Sequence, residues 1–529
     1  MDSNNTTPYR APTANLGNIL TATARAHGDR VGFIHGDDSY TWREIEDSAN
    51  ALATALVALG VKKGDRVAIQ SKNSRAMFES MYAITRTGAV YVPISSYSTP
   101  YEVCQMAGIG DIVLLIAEAQ FAEHMQAAAA QCPQVKNIIF VGKPDESIKI
   151  EGAAVHDHAD LIARNLAAPT VSVAVTNDDI CWQNFTSGTT GTPKSGMNSH
   201  GGIHYRLVNV IATMFPDIGP SDSNLAIAPI GHGTGTVTTT CTLVGAATIL
   251  PSTAKMDVDH CWSLIEKHKI SIIFAVPTIL LRLLKDPSFR RERAASLRHI
   301  RCGASPMTRA ELEFALSHIG DKMVRPYGAV EMVGAGLVFR PAKERLPEDA
   351  VVDEANDPLN SIGRPRLGTQ LGVFDDDMNE LAIGEVGEIC VRSPGTFAGY
   401  YKNPEANAEV FTKGWVRSGD IGRIDARGFV YLQGRRKEMF KWGGLQISPN
   451  EIQNHLGEHP AIDEAHLAPV PDSDFEQVGV AVLRLKPGAE TTEGQLIQFI
   501  RDRLASFKQP RRIFIVDDIP RSLLISTQN

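Results

Sequence analysis

Nine consecutive residues carry the densest potential chemistry in the chain: Thr186, Ser187, Gly188, Thr189, Thr190, Gly191, Thr192, Pro193 and Lys194. Five hydroxyls, two glycines, a proline and a lysine, with no aliphatic residue, suit neither a core strand nor a helix interior. Gly188 and Gly191 let the backbone turn where a Cβ would clash. Successive N–H groups and hydroxyls in such a turn make an anion-binding concavity, and Lys194 adds a mobile positive charge. The segment reads as a phosphate loop. It is not the Gly-x-x-x-x-Gly-Lys-Ser/Thr loop, because Pro193 stands where that motif needs its second glycine. A further candidate is His232, set among Gly231, Gly233 and Gly235 after the apolar stretch from Ala226, where a ligand could approach the imidazole.

The elements that must position these residues alternate between strand and helix. Ile45, Ala49, Leu52, Leu56 and Leu59 recur at three- and four-residue spacing, which predicts a helix over about 40–60 ended by Gly60. Val67-Ala68-Ile69 reads as a short buried strand, followed by a helix over about 74–87 and a strand from Ala89 to Pro93. Val113–Ile116 and Asn137–Val141 read as strands of the same kind. The alternation predicts an α/β fold with a parallel sheet. Ile180–Phe185 is the strand that delivers the phosphate loop, and His204 to about Met214 a helix after it. Ile270–Val276 leads into a helix over 279–285. His299–Cys302 is a strand that ends in the small-residue turn Gly303-Ala304-Ser305. The last stretch, 453–529, reads as helix, strand, strand, helix, strand, about one small domain.

At 529 residues the chain is too long for one core, so two or more domains are expected. Its charge of 52 − 60 = −8, with no basic block, argues against nucleic acid as a partner. Seven scattered cysteines without a Cys-x-x-Cys suggest neither a disulfide framework nor a zinc site, and they fit a reducing cytoplasm. No secretory leader and no membrane span is expected.

The string Thr186–Lys194 resembles the signature loop of the adenylate-forming superfamily, which includes acyl- and aryl-CoA ligases, luciferases and peptide-synthetase adenylation domains. Other elements resemble it in order: Tyr40-Thr41-Trp42 to Pro93, Pro229 to Gly235, His299 to Pro306, Arg325-Pro326-Tyr327-Gly328-Ala329-Val330-Glu331-Met332, Gly384 to Ile389, Gly399-Tyr400-Tyr401, Gly414 to Asp420, and Gly434 to Ile452. The resemblance implies an α/β fold with a large N-terminal domain of stacked subdomains (1–434) and a small mobile α+β C-terminal domain (435–529), with a hinge near Lys437. It implies that the loop holds the β- and γ-phosphates of ATP. Gly303, Ala304 and Ser305 would lie against adenine, as would the segment of Tyr327, Gly328, Ala329 and Val330. Asp420 would hold both ribose hydroxyls, and Arg435 ribose or phosphate. Glu331 would carry Mg2+. Lys441, Gly443 and Gly444 would line a channel for the pantetheine arm of coenzyme A. Lys194, Thr190, His232 and Glu331 are the candidate catalytic residues.

Four positions depart from the family pattern. Val330 replaces a threonine whose hydroxyl faces the nucleotide, so altered ATP contacts are expected. Gly231 replaces a bulky aromatic beside His232, which suggests extra room. After Pro520-Arg521 the family continues to a Gly-Lys pair, and here Ile525 and Ser526 stand in those places. Loss of that lysine, one charged stabiliser of a transition state, is expected to slow adenylation by about 10²–10³. The implied function is an ATP-dependent carboxylic acid–CoA ligase. Two alternatives stay open: an adenylating enzyme with another acceptor, such as a carrier protein, or substrate, and a non-catalytic adenylate binder. The expected wall of the acid pocket, around His232, Gly303 and 332–336, is mostly small or apolar and suggests an apolar acid. A homodimer is compatible with the sequence.

Overall fold

The computed structural model describes residues 14–186, 193–252, 256–332, 334–347, 356–442, 445–472, 476–501, 504 and 508–519. Among them, two large sheets share one core. The eight-stranded sheet runs, from one edge, Gly399–Tyr400, Lys194–Ser199, Ile180–Thr186, Val90–Ile94, Arg66–Gln70, Ile112–Glu118, Asn137–Val141 and Ala154–Asp157. From Ile180–Thr186 to Ala154–Asp157 its strands pair in parallel, as the buried runs predict. The nine-stranded sheet is parallel from Val31–His35 through Ala247–Leu250, Ser223–Leu225, Ile272–Ala275 and His299–Cys302 to Met323–Tyr327.

The helices Trp42–Ala58 and Arg75–Arg86 contribute to a core that takes side chains from both sheets. Thr41 and Glu44 cap the first helix reciprocally, which fixes its start at Trp42. Phe78 on the second packs with its ring centre 4.9 Å from that of Phe33 of the nine-stranded sheet, the two rings tilted, while Tyr91 and Ile69 reach the same core from the other.

Two smaller sheets follow. One carries Gln370–Phe374, Gly387–Arg392, Trp415–Ile424 and Phe411–Thr412, with Val430–Arg435 on the far side of Trp415–Ile424. The last contains Phe440–Trp442, Leu445–Ile447, Glu476–Leu485, Ile462–Asp472 and Arg512–Ile515. Its core of Phe440, Ile447, Ile452, Leu467, Leu483, Leu496 and Ile513 is drawn from its own strands and helices.

Three expectations are corrected. The helix after the phosphate loop starts at His200, not His204, because the Ser199 hydroxyl accepts from the Gly202 N–H at 3.1 Å and caps it. The strand ahead of His232 is Ser223–Leu225 and ends before Ala226, while His232 itself is the residue preceding the helix Gly233–Val244. Lys194–Ser199 is a strand that its polar residues do not announce.

Candidate active site

The segment expected to bind phosphate joins the two strands of an antiparallel hairpin. Ile180–Thr186 enters and Lys194–Ser199 leaves, with Thr186 paired to Lys194 across the base. The Thr186 hydroxyl also donates to the Lys194 carbonyl at 3.4 Å. Both ends of the loop are thereby fixed in one sheet, next to the parallel strand Val90–Ile94. Ser187, Gly188, Thr189, Thr190, Gly191 and Thr192 lie outside the described residues.

Lys194 and Glu331 meet through an aromatic ring. The Tyr400 hydroxyl donates to Glu331 Oε1, and Lys194 Nζ lies 5.3 Å from the centre of the same ring. Burial and the neighbouring carboxylate hold the Tyr400 hydroxyl protonated. Asn407 fixes Tyr400, accepting from its N–H at 2.7 Å and donating to its carbonyl at 2.9 Å. Sequence reasoning placed Tyr400 within a matching string but gave it no role. Val330, beside Glu331, faces the hairpin: a Cβ on Gly196 would come within 2.7 Å of Val330 Cγ1. The position that lacks the expected threonine hydroxyl is thus in contact with the strand that begins at Lys194.

Tyr327, Asp420 and Arg435 form a second group. The Tyr327 hydroxyl donates to Asp420 Oδ2, and Arg435 Nε stands 3.2 Å from Asp420 Oδ1. Asp420 is 6% exposed, and burial raises its carboxyl pKa against the opposing pull of Tyr327 and Arg435. Gly419 takes a left-handed φ of 73°, and its N–H donates to Glu388 at 3.1 Å. Glu388 also takes Arg417 Nε at 2.9 Å and Arg436 Nη1 at 2.7 Å, so one buried carboxylate sets the backbone ahead of Asp420. Glu438, near Arg435 and Asp420, is pushed up to about 7 by burial, and its Oε1 has no hydrogen-bond partner among the described residues.

The strands His299–Cys302 and Met323–Tyr327 lie side by side and deliver two loops to their carboxyl ends, the usual place for a ligand on a parallel sheet. Gly303 is required there, since a Cβ would sit 2.9 Å from the Pro326 carbonyl oxygen. Ala304 holds a left-handed φ of 74°, a strained position for a residue with a Cβ. Ser305 is half-buried, and Gly328 and Ala329 continue the neighbouring loop.

His232 is exposed, and the desolvation of its ring lowers its pKa, which favours the neutral imidazole. The expected room beside it is absent. A Cβ on Gly231 would lie 2.9 Å from Pro93 Cβ and 3.1 Å from Met77 Cε, so the glycine serves close packing. Lys441 is placed by its backbone in the strand Phe440–Trp442, opposite Gln446. Gly443, Gly444, Ile525 and Ser526 lie outside the described residues.

Two layered α/β sheets, an antiparallel hairpin bearing a phosphate-type loop, and a separate small terminal sheet define the adenylate-forming fold. The family described as AMP-binding enzyme matches residues 20–401, and its C-terminal domain matches 451–523. The chain belongs to this family. It is similar to a feruloyl-CoA synthase of an Amycolatopsis species, 29% identical over 509 residues and 96% of both chains. It is also similar to an indoleacetate–CoA ligase of Aromatoleum aromaticum, 30% identical over 496 residues, covering 93% of this chain and 92% of that one. Among solved structures, ATP-bound MatB from Rhodopseudomonas palustris superposes with a TM-score of 0.83 at 25% identity over 96% of each chain.

Proposed function

We propose that the protein is an ATP-dependent carboxylic acid–CoA ligase. The acid's carboxylate oxygen attacks the α-phosphorus of ATP and pyrophosphate leaves, giving an acyl-adenylate. The thiol of coenzyme A then attacks the acyl carbon, AMP leaves, and the thiol proton passes to solvent. The observation that carries this reading is the convergence of two groups on the sheet ends. Tyr327, Asp420 and Arg435 are joined into one constellation, and Lys194 and Glu331 share Tyr400.

In the first group, Asp420 receives the ribose hydroxyls, a two-oxygen acceptor suiting a cis-diol. Tyr327 and Arg435 hold its carboxylate in place. The purine lies on the flat turn of Gly303, Ala304 and Ser305 and on Gly328, Ala329 and Val330. In the second group, Lys194 and the hydroxyls and N–H groups of 186–192 bind the β- and γ-phosphates and stabilise the charge that grows on them. His232, neutral, borders the reacting carboxylate. Glu331 fits as the protein ligand of Mg2+, because it is a carboxylate set beside the phosphate lysine. When bound, Mg2+ supplies neutralisation of phosphate charge.

Residues 435–529 act as the small domain, turning about Lys437 between the two steps and bringing Lys441, Gly443 and Gly444 to the pantetheine arm. In the present arrangement Lys437 pairs with Glu409 at 3.2 Å, and Arg436 with Glu388. The seven cysteines are all buried free thiols, which is consistent with a reducing cytoplasm. No described helix is long and apolar enough to cross a membrane.

The deciding experiment is acid-dependent pyrophosphate release over a panel of aliphatic and aryl acids, with and without coenzyme A. Thioester and AMP formed from one acid only when coenzyme A is present are expected. Pyrophosphate release with no thioester points to another acceptor. ATP binding with no release by any acid overturns the ligase reading and leaves an adenylate binder.

A further inference from the structure

Buried arginines touch the segments proposed to border the acid, around His232, Gly303, Met332 and 334–336: Arg301 at Gly233 and Arg366 at Gly336, with Arg206 in the electrostatic reach of Arg301. Arg206, Arg301 and Arg366 are 5%, 9% and 4% exposed. Arg301 stands two residues before Gly303, on the strand His299–Cys302. Its Nη1 donates to the Gly233 carbonyl at 2.9 Å, next to His232, and its guanidinium lies 4.9 Å over the Phe274 ring. Arg206, on the helix His200–Met214, donates to Asn198 Oδ1 at 2.7 Å. The backbone N–H of Arg366 donates to the Gly336 carbonyl at 3.2 Å and its Nε to Asn209 Oδ1 at 2.8 Å.

The charges of Arg206 and Arg301 have no described counter-ion. Their partners are an amide oxygen, a backbone carbonyl and a ring face, and the Nε of each is buried without a hydrogen-bond acceptor among the described residues. The buried Thr234 hydroxyl, one residue beyond Gly233, is also unpartnered. The guanidiniums lie within one another's field. Burial first, then Arg366 and Arg206, pull Arg301 down to about 9, and burial with Arg366 pulls Arg206 to about 9. A guanidinium that only braces a fold is ordinarily saturated by acceptors. Two like charges without a described counter-ion, beside residues proposed to border the substrate, are the arrangement that an incoming anion completes.

We infer that the acid this enzyme activates is a dicarboxylate, whose reacting carboxylate lies by His232 and whose second carboxylate is held by Arg301 and Arg206. The inference rests on the ligase reading and names its substrate class. The second carboxylate takes no part in bond making and anchors the chain of the acid. An apolar monocarboxylate would leave the guanidiniums uncompensated, which replaces the apolar acid suggested by the small residues of the wall.

The test compares matched pairs, such as butyrate with succinate, hexanoate with adipate, and phenylacetate with carboxyphenylacetate, by kcat/KM for pyrophosphate release. The wild type is expected to prefer one dicarboxylate over its partner by about 100-fold or more, as a site built around a buried polar group rejects an analogue lacking it. Arg301→Met is expected to bring the pair within tenfold with the KM for ATP unchanged, and Arg301→Lys to keep part of the preference. Equal or better use of monocarboxylates by the wild type, or an unchanged preference in a folded Arg301→Met, overturns the inference. If Arg301→Met does not fold, the wild-type preference and the same comparison in Arg206→Met decide. If no acid supports release, the ligase reading has failed, and a melting-temperature titration with the dicarboxylates alone still decides this site. A saturable rise given only by a dicarboxylate and lost in Arg206→Met supports the anion site, and no rise overturns it.

Discussion

Asp420 is held from three sides: by the Tyr327 hydroxyl, by Arg435, and by the Ser418 hydroxyl, which accepts from the Asp420 N–H at 2.9 Å. Tyr327 and Arg435 orient a carboxylate that has little access to water, and Ser418 holds its backbone. Asp420→Ala leaves Tyr327 and Arg435 without their acceptor and removes the group assigned to the ribose. Hydrogen bonds to a charged group contribute about 1.5–3 kcal/mol, so the KM for ATP is expected to rise about 10–100-fold, read from the ATP dependence of pyrophosphate release. An unchanged ATP dependence would take Asp420 out of the nucleotide site. The local string around Asp420 was legible because the motif is contiguous. The Tyr400 hydroxyl on Glu331 was not, since that contact joins segments 69 residues apart and neither string announces the other. The three arginines were hidden for the same reason: each looks, in its own string, like a surface residue.

Among elements, the hairpin carrying the phosphate loop is pinned where Gly196 meets Val330. A Cβ at 196 would stand 2.7 Å from Val330 Cγ1, and a β-branched side chain has little freedom to turn aside. Gly196→Ala therefore pushes apart the strand that starts at Lys194 and the turn that holds Glu331. Overpacking of this kind costs about 1–3 kcal/mol, and kcat/KM is expected to fall at least tenfold. Val330→Ala in the same chain should restore most of the stability and activity. A double-mutant cycle measures the coupling, and strictly additive effects would sink the idea. Buried strands such as Arg66–Gln70 and Val90–Ile94 could be read as apolar runs. Lys194–Ser199 could not, because Lys, Ser, Gly and Asn become a strand there through pairing with neighbours on both sides. Likewise Gly201 and Gly202 mask a helix start that the Ser199 cap supplies.

Across the whole molecule, His200 ties the start of the described chain to the helix behind the phosphate loop. Its Nδ1 accepts from the Leu16 N–H at 3.0 Å, and the side chain is fully buried. Burial, with His204 nearby, lowers its pKa to about 4. An unfolded histidine titrates near ~6.5. Between these values the unfolded chain binds the extra proton, so this group's contribution to stability is present above the unfolded value and is lost as pH falls toward 4. From pH 7 to pH 5 the loss from this one group is about 2 kcal/mol. Urea unfolding at the two pH values should show that His200→Gln loses about that much less than the wild type. An identical pH response in variant and wild type would show that the imidazole titrates alike in the folded and unfolded chain. The α/β class, the order of elements and the helix-strand-strand-helix-strand ending were readable from periodicity. How the two large sheets share one core was not, because Phe33, Tyr91 and Phe78 come together only through the topology.

The grouped guanidiniums also bear on how long a copy of the protein survives. Like charges kept from water raise the free energy of the empty fold, and an anion that joins them lowers it by mass action. A copy short of its acid opens more often, and opened copies are the ones that proteases remove. Protein abundance in the cell would then follow the supply of the acid with no separate sensor, the binding pocket itself serving as the gauge.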